Sequence, residues 1–92
     1  MSVATHPEVL MYSTIWCPYC ERARELLQRK SVEFRDIRLD DHPDRREAML
    51  ARSNGRRTVP QIFIGETHVG GFDELYALDR SGELDRLLGR AQ

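Results

Sequence analysis

The chain has 92 residues, 40% of them hydrophobic and 32% charged, with 14 basic against 15 acidic side chains and a formal net charge of −1. This is the composition of an ordinary globular domain, too small to enclose a large ligand cavity, so a site is expected in a surface groove. The near-neutral balance argues against non-specific nucleic-acid binding, which needs a basic field, and no long arginine-rich block occurs although Lys30 is the only lysine.

No apolar run approaches the ~18–20 residues of a membrane span. The first eight residues lack the basic and apolar regions of a secretory signal. A cytoplasmic location is therefore expected, where thiols are kept reduced and a purely structural disulfide between the two cysteines is not anticipated. Residues 1–7 read as a loose tail on a single domain spanning 1–92.

Val9-Leu10-Met11-Tyr12 is a short apolar run, too soon interrupted for a helix, and reads as a buried central strand. Cys17-Pro18 opens a helix, since proline suits a first helical position whose N–H would be unpaired anyway. Cys20, Ala23, Leu26 and Leu27 recur on one helical face, and the helix is expected to end near Lys30. Val32, Phe34, Ile37 and Leu39 form a second strand whose alternation slips at Arg35-Asp36, predicting a bulge or a shortened strand. Asp41 is the expected N-cap of a helix with Pro43 in its first turn, running to about Ser53 and stopping at Asn54-Gly55.

Gln61-Ile62-Phe63-Ile64 and Thr67-His68-Val69 flank Gly65-Glu66 as a β-hairpin. Gly70-Gly71 then break the chain, Asp73 starts a helix carrying Leu75 and Leu78, and a short last helix turns Leu84, Leu87 and Leu88 inward. The order β-α-β-α-β-β-α-α begins with a right-handed, parallel βαβ unit and adds an antiparallel hairpin. It predicts an α/β, thioredoxin-like fold: a four-stranded mixed sheet with helices on both faces.

Cys17-Pro18-Tyr19-Cys20 at a strand-to-helix junction reads as a redox site. At the helix N-terminus, unpaired N–H groups and the helix dipole favour a thiolate at Cys17, and Cys20 lies one turn on, within reach of its sulfur. A more acidic thiol gains thiolate fraction and loses nucleophilicity, so the two nearly cancel for attack. The surviving benefit is that Cys17 becomes a good leaving group. A zinc site would need four ligands; only one cysteine pair is present, and His68, a conceivable third ligand, reads as a solvated strand residue, so no metal is expected.

Cys17-Pro18-Tyr19-Cys20, Thr58-Val59-Pro60 and Gly70-Gly71-Phe72-Asp73, in this order and spacing, resemble the small bacterial dithiol glutaredoxins, over residues 8–89. The resemblance implies a glutathione-dependent thiol–disulfide oxidoreductase that reduces protein–glutathione mixed disulfides and protein disulfides, with Cys17 the nucleophile and Cys20 the resolving thiol. It implies a cis Pro60 facing the Cys17 sulfur and a Val59 backbone free to pair with the cysteinyl part of glutathione. Gly70 and Gly71 would allow close approach, and the N–H groups of Phe72 and Asp73 would bind the γ-glutamyl carboxylate. The Asp73 carboxylate would take the ligand's ammonium, serve as an N-cap, or do both. Arg57, beside Thr58, matches a position that contacts the glycyl carboxylate, while Arg56 reads as solvated. Tyr19 would line the groove.

Two positions depart from the family pattern. Thr14 stands where a lysine often assists the thiolate and glutathione, so Arg57 and the helix N-terminus must carry more of the recognition. Trp16 is unusual before this motif and either covers Cys17 or packs on the surface. Glutathione is the expected co-substrate, with no tightly bound cofactor. Expected partners are glutathionylated or disulfide-containing proteins and, indirectly, glutathione reductase with NADPH, acting on a monomer without nucleic-acid or membrane contacts. Two alternatives stay open: a dimer bridging a [2Fe–2S] cluster through Cys17 and glutathione, disfavoured by Pro18, and a redoxin fed by thioredoxin reductase, disfavoured by the Gly70 to Asp73 pattern.

Overall fold

The structure, a computed structural model, describes residues 7–89, so the tail expected over 1–7 lies outside the described residues except for Pro7. The elements are β1 (Val9–Ser13), α1 (Pro18–Arg29), β2 (Arg35–Arg38), a 3-10 turn (Pro43–Arg45) leading into α2 (Arg46–Arg52), β3 (Gln61–Ile64), β4 (Thr67–Gly70), α3 (Phe72–Ser81) and α4 (Glu83–Leu87). The four strands lie in the order β2-β1-β3-β4. β1 runs parallel to β2 and antiparallel to β3, and β4 is antiparallel to β3. This is the thioredoxin-like arrangement expected from the element order.

Strand alternation divides the core in two. Val9, Met11, Ile62, Ile64 and Val69 face Ala23, Leu26 and Leu27 of α1, Leu75 of α3 and Leu84 of α4. On the other side Tyr12, Ile37 and Phe63 pack with Leu39 and with Met49 of α2. The sheet is thus covered on both faces, which explains the nearly continuous apolar sequences of β1 and β3.

Of the two expectations for the second strand the shortened one holds, since β2 spans only Arg35–Arg38; the slip is where the chain changes sides, not a bulge. Val32 and Phe34 lie before β2 and join the α1 side, whereas Ile37 and Leu39 join the α2 side. The cause is the helix exit: the Val32 N–H bonds back to the Leu27 carbonyl at 3.1 Å, and pairing begins only at Arg35. The irregularity in the sheet falls instead in the β3–β4 ladder, between Ile62 and Phe63.

Two expected caps also differ. Asp41 does not cap a helix; its N–H closes a turn on the Arg38 carbonyl at 3.1 Å. Pro43 restricts the residue before it, so His42 takes the N-cap place of the 3-10 turn, and α2 begins only at Arg46. The predicted stop at Asn54-Gly55 is observed, with φ of 63° and 87°, and the Gly55 N–H returns to the Leu50 carbonyl at 2.8 Å. Asp73 is the second residue of α3, whose N-cap is Gly71.

Lys30, at the end of α1, lies 3.4 Å from Asp79 and 2.9 Å from Asp85, tying α1 to both C-terminal helices. Leu27 is fully buried between α1 and the sheet. Leu27→Ala is expected to lower stability by about 2–5 kcal/mol, through lost apolar burial and the cavity left behind, measured by urea unfolding.

Candidate active site

The loop from β1 to α1 is held by two carboxylates. Asp36 of β2 accepts from the buried Ser13 hydroxyl at the end of β1, and from Arg24 of α1 at 2.7 and 3.0 Å. Asp40 accepts from the Ile15 N–H. These contacts clamp both ends of the segment that delivers Cys17.

Cys17 is the N-cap of α1, with an extended backbone (φ −145°, ψ 95°), and Pro18 follows at the first helical position. The Cys20 N–H donates to Cys17 Sγ at 3.1 Å, so sulfur takes the place that a serine or aspartate oxygen usually fills at an N-cap. Cys17 and Cys20 are joined in a disulfide, with Cα atoms 5.1 Å apart. Cys20 is fully buried and Cys17 partly exposed, which makes Cys17 the sulfur open to attack.

Facing this sulfur, the Val59 carbonyl oxygen lies 3.7 Å from Cys17 Sγ, and the Val59–Pro60 peptide bond is cis. An adjoining open cleft is lined by Tyr19, Arg56, Thr58, Val59, Pro60, Gly71, Phe72, Asp73 and Glu74. Phe72 and Asp73 are the first two residues of α3, whose N–H groups have no partner within the helix. The neighbouring Gly71 N–H is already taken, by Glu74 Oε1 at 2.6 Å. This is half of a capping box, since glycine has no side chain to return the bond.

Gly70 sits at φ +115°, and a Cβ there would fall 2.8 Å from Glu74 Oε1 and 3.0 Å from an Arg56 guanidinium nitrogen. The φ is what calls for glycine, since the two contacts are with the mobile ends of Glu74 and Arg56. The Tyr19 ring lies 6.3 Å from that of Phe72, with the Arg22 guanidinium 5.3 Å from the Tyr19 centroid.

Of the residues expected from sequence, Tyr19, Thr58, Val59, Pro60, Gly71, Phe72 and Asp73 line one cleft beside the Cys17–Cys20 pair. Arg57 is exposed and does not line it, whereas Arg56, expected to be solvated, does, 3.8 Å from Glu74. Glu74, not among the residues expected from sequence, also lines the cleft; its place three residues after Gly71 is a recognisable capping-box spacing. Trp16 is 90% exposed and so covers Cys17 little. Among the described residues no group of three or more His, Cys, Asp or Glu side chains is placed to hold a metal ion, and no helix is long and apolar enough to cross a membrane.

The glutaredoxin family model matches residues 9–69. A glutaredoxin of Pseudomonas aeruginosa is 61% identical over 82 residues, covering 89% of this chain and 96% of the relative. The chain belongs to the glutaredoxin family. Among solved structures, the glutaredoxin of Brucella melitensis superposes with a TM-score of 0.80 at 46% identity, covering 99% of this chain and 98% of that one. A buckwheat glutaredoxin–glutathione complex superposes with a TM-score of 0.79 at 33% identity, covering 92% and 78%. Family membership makes the chain a thiol–disulfide oxidoreductase, and the Cys17–Cys20 pair is the disulfide-forming unit such a glutaredoxin needs.

The N-cap geometry generates a direct test on the reduced protein. The Cys20 N–H and the helix N-terminus favour the charged sulfur, so Cys17 is expected to titrate below the ordinary thiol range. Thiolate absorbance against pH measures this. A limiting alkylating agent at neutral pH is expected to label Cys17 and spare the buried Cys20, read by peptide mass spectrometry.

Proposed function

We propose that this chain is a glutathione-dependent oxidoreductase that reduces protein–glutathione mixed disulfides and protein disulfides in a reducing cytoplasm. The observation that carries this reading is the position of Cys17 Sγ: it accepts from the Cys20 N–H at 3.1 Å and sits 3.7 Å from the Val59 carbonyl, at the edge of the cleft. The buckwheat relative was solved as a complex with glutathione, and most of this chain superposes on it.

The cleft offers a complement to each part of the tripeptide. The backbone of Val59 would pair, strand fashion, with the cysteinyl residue. The N–H groups of Phe72 and Asp73 would receive the γ-glutamyl carboxylate, as helix N-termini receive anions. The Asp73 carboxylate would take the ammonium, Tyr19 would flank the sulfur, and Arg57 would reach the glycyl carboxylate. Arg56 lies closer to the cleft in this structure and supplies a second cation on that side.

In the cycle, the Cys17 thiolate attacks the glutathionyl sulfur of the mixed disulfide. The target's S–S bond breaks, its sulfur leaves as a thiolate that takes up a proton, and Cys17 carries glutathione. The thiolate of a second glutathione attacks that sulfur, releasing oxidised glutathione and restoring Cys17. Net, one free glutathione is consumed per turnover: its sulfur is oxidised into the glutathione disulfide as the target's sulfur is reduced to a thiol. On a protein disulfide, Cys20 instead attacks the Cys17 mixed disulfide, and the internal Cys17–Cys20 bond that closes is reopened by glutathione. Glutathione reductase with NADPH would regenerate the glutathione.

The test is a coupled NADPH assay with glutathione, glutathione reductase and a small glutathione mixed disulfide. Cys17→Ser is expected to abolish turnover and Cys20→Ser to retain much of it. Asp73→Ala is expected to raise KM for the mixed disulfide roughly fivefold, since an exposed ion pair contributes only about 1 kcal/mol. Full activity in Cys17→Ser, or turnover supported by thioredoxin reductase but not by glutathione, would overturn the reading.

A further inference from the structure

Beneath the cleft, a chain of hydrogen bonds ends on the loop that carries Val59. Gln61, the first residue of β3, is fully buried. Its side-chain nitrogen reaches back three residues to the Thr58 carbonyl at 2.9 Å and the Thr58 hydroxyl at 3.3 Å. Its side-chain oxygen lies 2.7 Å from His68 Nε2 on β4. The His68 ring is in turn stacked on Phe63, with centroids 4.9 Å apart and planes 25° apart.

The donor inventory determines how this chain is wired. A carbonyl oxygen can only accept, so the Gln61 amide must present nitrogen to Thr58 and oxygen to His68. His68 Nε2 must then carry the hydrogen. The ring is held below the usual histidine range, by burial first and then by Arg56 and Arg52, against an opposing pull from Glu74. The shift favours the neutral ring, and the hydrogen bond to Gln61 places its hydrogen on Nε2. Each partner leaves the next a single orientation.

We propose that Gln61 is a positioning residue for the reaction, holding the Thr58-Val59 backbone in place against Cys17 Sγ, and that His68 fixes the direction of the Gln61 amide. The geometry supports a role beyond strand packing. The side chain bonds neither to its own strand nor to the helices, but to the carbonyl one residue before the one that faces the sulfur. Gln61 touches neither sulfur nor cleft, so it acts only through that backbone. The tripeptide measurements below rest on the glutathione reading; the backbone measurement does not.

The probe is Gln61→Met, which keeps length and bulk but removes both the donor and the acceptor. Buried groups that lose a partner shift equilibria by about tenfold. In the coupled assay, KM for the glutathione mixed disulfide is expected to rise about tenfold while kcat stays within threefold. The second-order reaction of the reduced protein with a small aromatic disulfide, which needs no peptide groove, is expected to change less than twofold. By NMR the Val59 amide resonance is expected to shift and broaden while those of α1 stay in place.

The second position separates the hydrogen bond from ring packing. His68→Gln, which can still donate to Gln61, is expected to restore most of the affinity that His68→Leu loses. Equal losses toward both disulfides, or a Val59 resonance unmoved in Gln61→Met, would overturn the proposal. Should the wild-type protein show no preference for glutathionyl over other mixed disulfides, the glutathione reading falls, and the Val59 resonance still decides whether Gln61 positions the loop.

Discussion

The 3.1 Å hydrogen bond from the Cys20 N–H to Cys17 Sγ exists only while Cys17 keeps its extended N-cap conformation, and most of the surrounding structure maintains that conformation. Pro18 contributes a preset φ to the first helical position. Asp36 holds Ser13 on one side of the cysteine and Arg24 on the other, so the end of β1 and the body of α1 cannot separate independently. Asp40 fixes the Ile15 N–H between them. The sulfur is thus placed by backbone contacts and by the carboxylates with their partners Ser13 and Arg24, with no basic side chain among the described residues in contact with the sulfur itself.

The same economy operates across the cleft. On the proposed reading, the cysteinyl backbone and the γ-glutamyl carboxylate meet backbone groups at interruptions of regular structure: the cis Val59–Pro60 bond before β3 and the first turn of α3. The first adjoins β3, all four of whose residues are buried, and the second follows the buried Val69 and Gly70 at the end of β4, so they have little freedom to shift. Gly70 lets β4 run straight into the α3 turn at a φ of +115° that other residues rarely adopt. Glu74 closes the remaining Gly71 N–H, which leaves the Phe72 and Asp73 N–H groups as the outward-facing donors of that helix end.

Much of this was legible in the sequence because local chemistry and global fold agree. The Cys17-Pro18 junction, the apolar stripe of α1, the Asn54-Gly55 stop and the Gly65-Glu66 hairpin each carry a local signal that the tertiary structure does not override. The failures have one character. Val32 and Phe34 alternate like strand residues, yet they pack on the α1 side before pairing begins, because period-two alternation cannot tell a strand from a helix exit crossing the sheet edge. Asp41 has the chemistry of a cap, but Pro43 moves the cap of the 3-10 turn one residue on, to His42, and α2 starts only at Arg46. Between Arg56 and Arg57 nothing local discriminates; the direction of the loop after Ser53 decides it, where Ser53 Oγ accepts from the Arg56 N–H and donates to the Arg56 carbonyl, both at 3.1 Å. His68 reads as a solvated strand residue until the register of β3 against β4 sets it opposite Phe63, from where its ring reaches the buried Gln61.

The absence of lysine at Thr14 acquires a physical meaning in this setting. A lysine there would stabilise a thiolate through a mobile, solvated charge, and salt would screen it over a Debye length of about 8–10 Å. The N–H of Cys20 and the end of α1 do the same through fixed dipoles beside a partly buried sulfur, where screening is weaker. On the proposed reading the two halves of catalysis then differ in character. Sulfur chemistry rests on fixed dipoles, while capture of the glycyl carboxylate and the ammonium relies on the side chains of Arg56, Arg57 and Asp73, all exposed. Added salt would weaken glutathione capture before it altered the acidity of Cys17, a separation that a lysine shared between sulfur and ligand would not permit.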